Sequence, residues 1–193
     1  MVITRDSLLS LERYSKERSD WRARIIPYKK RRTVHVGEHV TFLFEDEQTI
    51  RYQIQEMLRI EKTFEEDGIL DELDAYNPLV PDGRNLKATM LIEYADPVVR
   101  ARELQRLKGI ERASWMQVQG FDKVFAIADE DLQRENETKT SSVHFMRFEF
   151  TDAMVDALRG GASFSLGVDH DYYGHLVTAI EGDSRTALLA DFA

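Results

Sequence analysis

From Phe42 to Phe64 the chain reads FLFEDEQTIRYQIQEMLRIEKTF, and two periodicities meet inside it. The opening residues alternate as the end of a strand, a two-residue acidic turn follows, and the rest repeats at helical spacing. On a 3.6-residue wheel Ile50, Ile54, Met57, Leu58, Ile60 and Phe64 share one apolar face. Gln53 and Glu61 fall within that face. Burying either without a partner costs about 1–3 kcal/mol, so the helix is expected to carry polar groups into a satisfied interior cluster.

Composition narrows the options. A chain of 193 residues with 42% hydrophobic and 32% charged residues is long enough for a sizeable core. No apolar run approaches the length that crosses a bilayer, and MVITRDSLLSLERY lacks the apolar stretch and cleavage site of a signal peptide. Cysteine is absent, which excludes disulfides, thiolate metal ligation, cysteine-ligated Fe–S clusters and cysteine nucleophiles. These features point to a cytoplasmic protein.

Charge is uneven. Residues 1–32 carry ten Lys/Arg against four Asp/Glu, while the remainder is strongly acidic. A basic end on an acidic body reads in two ways. Residues 1–32 form a helix and connector that dock on the body, for instance on the acidic stretch Glu61–Asp74, within one domain of residues 1–193. Alternatively, Arg22, Arg24 and Lys29 to Arg32 contact nucleic acid; the acidic remainder makes that the weaker reading.

Asp6 or Ser7 is placed to cap a first helix that runs to about Ile26 and stops at Pro27, leaving YKKRR as a basic connector. TVHV, Gly37-Glu38 and HVTFLFE predict a hairpin with a two-residue turn, Val36 opposite His39 and His35 opposite Val40. The two histidines then face opposite sides, which argues against a His35/His39 metal pair. EEDGILDELDAY reads as a short acidic helix. In LKATMLIEY, Leu86, Ala88, Met90, Ile92 and Tyr94 share one face, and Lys87, Thr89, Leu91 and Glu93 the other. Asp96-Pro97 starts a helix that stops at Gly109. ASWMQVQ and KVFAIA flank a turn as a second hairpin, and DEDLQRENETKTSS is too polar for a core. SVHFMRFEF sets His144, Met146, Phe148 and Phe150 on one face and Val143, Phe145, Arg147 and Glu149 on the other. Thr151 caps DAMVDALR, ASFSLGV is a strand before DHDYYGH, and a last helix follows Asp183. Strands in hairpins with helices between groups predict an α+β fold, a largely antiparallel sheet packed against the central amphipathic helix.

The stretches FLFEDEQTIRYQIQEMLRIE, ELDAYNPLVPDGRNLKATMLIEY, LKGIE, ADEDLQRENETKTSSVHFMRFEF and GVDH resemble, in this order, a bacterial family designated domain of unknown function 3501. The resemblance covers nearly the whole chain. It implies a redox or oxidative-stress setting, with rubrerythrin-like or iron–sulfur oxidoreductase proteins as partners. It carries over no catalytic residue.

The candidate polar site comprises Gln53, Glu56, Glu61, His144, Arg147 and Glu93, with Glu45 and His170 as company. One reading is a structural network in which Arg147 or Arg59 pairs with Glu61 and Glu56 and His144 bonds a carbonyl. A second is a carboxylate–histidine site for Fe, Mn or Zn built from Glu61, Glu56, His144 and His170, supporting a metal-dependent enzyme. Asp169, His170, Asp171 and His175 form a further metal candidate or a turn, and Tyr172-Tyr173 an interface patch, a homodimer being one use of it. No P-loop, G-x-G-x-x-G after a strand or G-x-S-x-G elbow is present. The leading expectation is a binding or accessory module.

Overall fold

The structure, a computed structural model, describes residues 2–128, 130 and 138–192. Its strands are β1 (Thr33–Val36), β2 (Val40–Glu45), β3 (Asn85–Ile92), β4 (Ser114–Val118), β5 (Val124–Phe125), β6 (Ile127–Ala128), β7 (Val143–Glu149), β8 (Phe164–His170) and β9 (Tyr173–Val177). Its helices are α1 (Leu11–Arg31), α2 (Glu47–Glu61), α3 (Glu66–Tyr76), α4 (Pro97–Arg106), α5 (Asp152–Arg159) and α6 (Gly182–Leu189). The fold is α+β and its strand pairs are antiparallel, but the strands divide between two sheets, ordered β1-β2-β3-β7-β6 and β5-β4-β8-β9.

The alternation read in β3 and β7 decides how the sheets meet. Ala88, Met90, Ile92, Met146 and Phe148 turn inward and join Met116, Val118, Leu166 and Val168 of the second sheet in one cluster. Burying each such side chain contributes about 1.5–3 kcal/mol. The expected second hairpin is present as β4 with β5, yet its outgoing strand continues past Ala126 and pairs as β6 with β7. One extended run thus changes sheets.

Helix α2 packs differently from the expectation. Its buried Ile50, Ile54 and Leu58 join Ile3, Leu8, Ile69 and Leu73 in a separate cluster between the N-terminal segment and α3. Asp46 caps it, its side chain accepting from the Thr49 N–H at 2.9 Å. The helix stops at Lys62, whose φ of 55° is left-handed. Phe64 therefore leaves the predicted face and is 69% exposed, as is Ile60 at 60%.

Helix α1 corrects two expectations. Ser10, not Asp6 or Ser7, caps it, and it runs through Pro27 to Arg31. Proline removes a helical N–H, a cost of roughly 3 kcal/mol in a helix interior. Here Pro27 and Ala23, whose carbonyl loses its donor, are both exposed, which leaves that carbonyl open to solvent. The YKKRR run is thus helical except for Arg32, which is buried. The first hairpin also closes differently: Val36 pairs with Val40 and His35 with Thr41, leaving a three-residue turn at Gly37–His39. Thr140, in the stretch read as too polar for a core, is buried and donates its N–H to Leu104 O. The rest of that polar stretch, at 129 and 131–137, lies outside the described residues.

Candidate ligand-binding site

The polar residues that the sequence grouped are dispersed. Glu61 is exposed at the end of α2 and Gln53 is half-buried. The buried amide of that helix is Gln55, whose Oε1 accepts from the Leu9 N–H at 2.7 Å. His144 is buried on the inner face of β7, its Nε2 2.9 Å from Thr140 Oγ1 and 3.0 Å from Ser141 O. Glu93 accepts from Thr41 Oγ1 at 2.7 Å, and the buried Glu45 from Thr89 Oγ1 at 2.6 Å.

His170 lies at the end of β8 with Nε2 2.9 Å from Lys108 O, and its Nδ1 accepts from the Tyr172 N–H at 3.2 Å. That pair of contacts fits a neutral ring protonated on Nε2. Asp169 pairs with Lys123, and His175 is exposed. Asp171-Tyr172 forms the turn between β8 and β9. Tyr172 is exposed beneath the Arg106 guanidinium, whereas Tyr173 is buried, so the two tyrosines share no surface patch. His35 Nδ1 meets Thr41 Oγ1, while His39 stacks on Tyr94 with ring centroids 4.0 Å apart. Among the described residues, no three His, Asp or Glu side chains converge as a metal-ligand set.

Glu56 is an anchor between helices. It receives two hydrogen bonds from Arg18 of α1 (2.7 and 2.8 Å), one from the Tyr14 hydroxyl at 2.7 Å, and has Arg59 at 3.5 Å. The Arg18 hydrogen bond chiefly holds its carboxyl down at about 2, and burial pushes the Tyr14 hydroxyl up. A second anchor was missed by sequence reasoning. Arg32, 2% exposed, donates to Phe44 O at 2.9 Å and to Ala187 O and Glu45 O at 3.2 Å, and it pairs with Asp191 and Asp46. One guanidinium thus faces two carboxylates. Burial raises Asp191 to about 6, with Asp46 adding to the rise and Arg32 opposing it. In both clusters each charged group is matched by partners within the chain.

An open arrangement lies on the other face of the first sheet. The β3–β7 register sets Lys87 directly opposite Arg147. Like charges so paired destabilise a sheet unless something offsets them. Arg147 is offset twice, by Glu130 (2.7 and 2.9 Å) and by Glu149. Lys87 instead donates to Pro78 O at 2.6 Å and has no carboxylate within ion-pair distance among the described residues. Burial lowers the Lys87 ammonium from the usual lysine range; Asp82 opposes it most, Arg147 adds to it, and Glu130 and Glu149 oppose it. The end of α3 and the turn after it close over these strands, leaving a cavity of about 260 Å³ lined by Ala75, Pro78, Leu79, Phe145, Met146, Lys87, Arg147, Asp74 and Glu130. Of the sequence-stated candidates, Arg147 alone lines it. The signal for Lys87 was present in the two strand patterns, but only register brings them together.

The two-sheet core, the helical cluster and this half-apolar cavity define an α+β protein with a pocket on the outer face of a sheet. The chain belongs to the protein family of unknown function DUF3501, whose model matches residues 2–192. A crystal structure of a novel protein of unknown function from Burkholderia pseudomallei K96243 superposes with a TM-score of 0.95 at 54% sequence identity, covering 100% of both chains. No curated protein matches the sequence. Among the described residues, no helix is long and apolar enough to cross a membrane.

Proposed function

We propose that the protein is a binding module for a small, largely apolar molecule that carries a hydrogen-bond acceptor. The observation behind this reading is Lys87, a half-buried residue whose ammonium is bonded to a carbonyl and lacks a carboxylate among the described residues, at a cavity walled by Leu79 and Phe145. Specific sites are commonly apolar hollows with a few polar groups, and roughly 300–1,000 Å³ suits a drug-sized ligand. At about 260 Å³ this cavity takes one ring or a short chain.

Titrating the ¹⁵N-labelled protein with one-ring alcohols, aldehydes and carboxylates tests the reading. Saturable shifts at Leu79, Lys87, Phe145 and Met146, abolished by Ala75→Trp at the exposed rim, are expected. Shifts that do not saturate, or that survive Ala75→Trp, overturn it.

We further propose, from what the resemblance implies alone, a redox or oxidative-stress setting for this binding, with rubrerythrin-like or iron–sulfur oxidoreductase proteins as partners of an accessory module. Affinity purification from the native host tests the setting separately. Recovery of neither class removes the setting and leaves the cavity reading standing.

A further inference from the structure

We infer that Lys87 is a carbonyl-reactive amine that condenses with a small apolar aldehyde in this cavity to form an imine. The inference rests on the binding reading above and names the ligand class.

Four features of the geometry carry it. First, Lys87 Nζ is 2.6 Å from Pro78 O, so one N–H is directed at a carbonyl and the nitrogen is oriented by backbone. Second, among the described residues no carboxylate pairs with it, so no ion pair adds to the intrinsic basicity that keeps lysines protonated at neutral pH. Third, Lys87 is flanked in register by Glu45 on β2 and Arg147 on β7, and Arg147 is already paired with Glu130 and Glu149, so neither neighbour forms an ion pair with it. Burial lowers the basicity of Lys87, as described above. Fourth, the cavity lining balances Lys87 and Arg147 with Asp74 and Glu130. Among the described residues such a lining offers no net positive charge to a free carboxylate and favours a neutral carbonyl compound. Apolar walls at Leu79 and Phe145 suit the organic part of that molecule.

The step balances without a further reagent. The lone pair of neutral Nζ forms a bond to the carbonyl carbon, and the C=O π pair moves to oxygen. The resulting carbinolamine loses its oxygen as water, which carries away both protons of the amine. One C–O double bond is replaced by one C=N bond, and nothing is oxidised or reduced. The product places the carbon of the ligand on Lys87 and leaves the C=N bond open to hydrolysis, so binding is covalent yet reversible.

Reductive trapping tests this. The full-length protein is mixed with benzaldehyde and sodium cyanoborohydride, and the benzylated lysines are located by peptide mass mapping. Lys87 is expected to label about tenfold or more faster than any other lysine, because a held ligand raises its local concentration at the nitrogen. Lys87→Arg should lose that fast site. Ala75→Trp keeps the amine but blocks the cavity, and should lose it too.

Benzyl alcohol, which cannot condense, is titrated in parallel by NMR. If it binds the cavity while labelling merely follows lysine exposure, the imine inference is overturned and the binding reading survives. If benzyl alcohol gives no saturable shift and labelling is unselective, both fall. Fast labelling of Lys87 that persists in Ala75→Trp overturns the role of the cavity.

Discussion

A Cβ on residue 37 would lie 2.6 Å from the hydroxyl oxygen of Tyr173. That hydroxyl donates to Val36 O at 2.6 Å and accepts from the N–H groups of His39 and Val40 at 3.0 and 3.1 Å. A side chain from β9 of the second sheet therefore replaces the backbone bonds that the β1–β2 turn of the first sheet cannot make. Gly37, at a φ of 71°, supplies both the left-handed backbone and the room. Gly37→Ala should cost about 2–3 kcal/mol through strain and crowding. Tyr173→Phe strips three backbone groups of their partner and should cost about 2–4 kcal/mol. Urea denaturation of the two variants checks both; a change under 1 kcal/mol in Tyr173→Phe would mean that water serves the turn equally well.

Gln55 holds the N-terminal segment to α2 through Leu9. Gln55→Leu keeps the volume but leaves the Leu9 N–H without its partner, a loss of about 1–3 kcal/mol. Hydrogen exchange at Ile3 to Leu9 should accelerate in this variant while β3 and β7 remain protected. Uniform acceleration would instead place the segment in the global folding unit.

Glu56 makes stability depend on acid. Its folded carboxyl is held at about 2, below its value in the unfolded chain, chiefly by Arg18. The stabilisation is complete above the unfolded value near 4.5 and is lost as pH falls through about 2. Thermal melts should fall across that window, and Glu56→Gln should flatten the fall while lowering the melting temperature at pH 7. An unchanged acid slope in Glu56→Gln would assign the dependence to other carboxylates.

Asp191 acts in the opposite sense. Its folded carboxyl, buried beside Arg32 and Asp46, sits at about 6, above its unfolded value. The native state binds that proton more tightly, so this contribution is present below the unfolded value of 3.8 and is lost as pH rises through about 6. Asp191→Asn should remove a decline in stability between pH 4 and 6, measured by chemical denaturation. Persistence of that decline would move it to another group. Arg32→Met strands two buried carboxylates and should cost about 3–5 kcal/mol.

What was legible in the sequence follows from which forces are local. Asp96 was read as a cap and does accept from the Val98 and Val99 N–H groups, because capping needs only three consecutive residues. The two faces of β3 and β7 were equally plain, since alternation is a property of one strand. The helical wheel of α2 failed at Ile60, exposed in the last turn, and where it was extended past Lys62, beyond which its period no longer applies. It also chose Gln53 over Gln55, because the buried polar position depends on where Leu9 returns. Arg32 looked like part of a basic run until two carboxylates, one of them 159 residues away, were brought to it. Lys87 was assigned to the correct strand face, yet its pairing with Arg147 and the cover from α3 are tertiary facts.

The Tyr173 clamp also bears on the order in which the chain can be completed. Tyr173 and Val36 are 137 residues apart, so during synthesis β1 and β2 emerge long before the hydroxyl that serves their turn. Contacts so distant in sequence slow folding, since the intervening chain must be ordered before they close. A nascent chain arrested before residue 173 would therefore hold the first hairpin with an unfinished turn, open to exchange and to pairing with other chains.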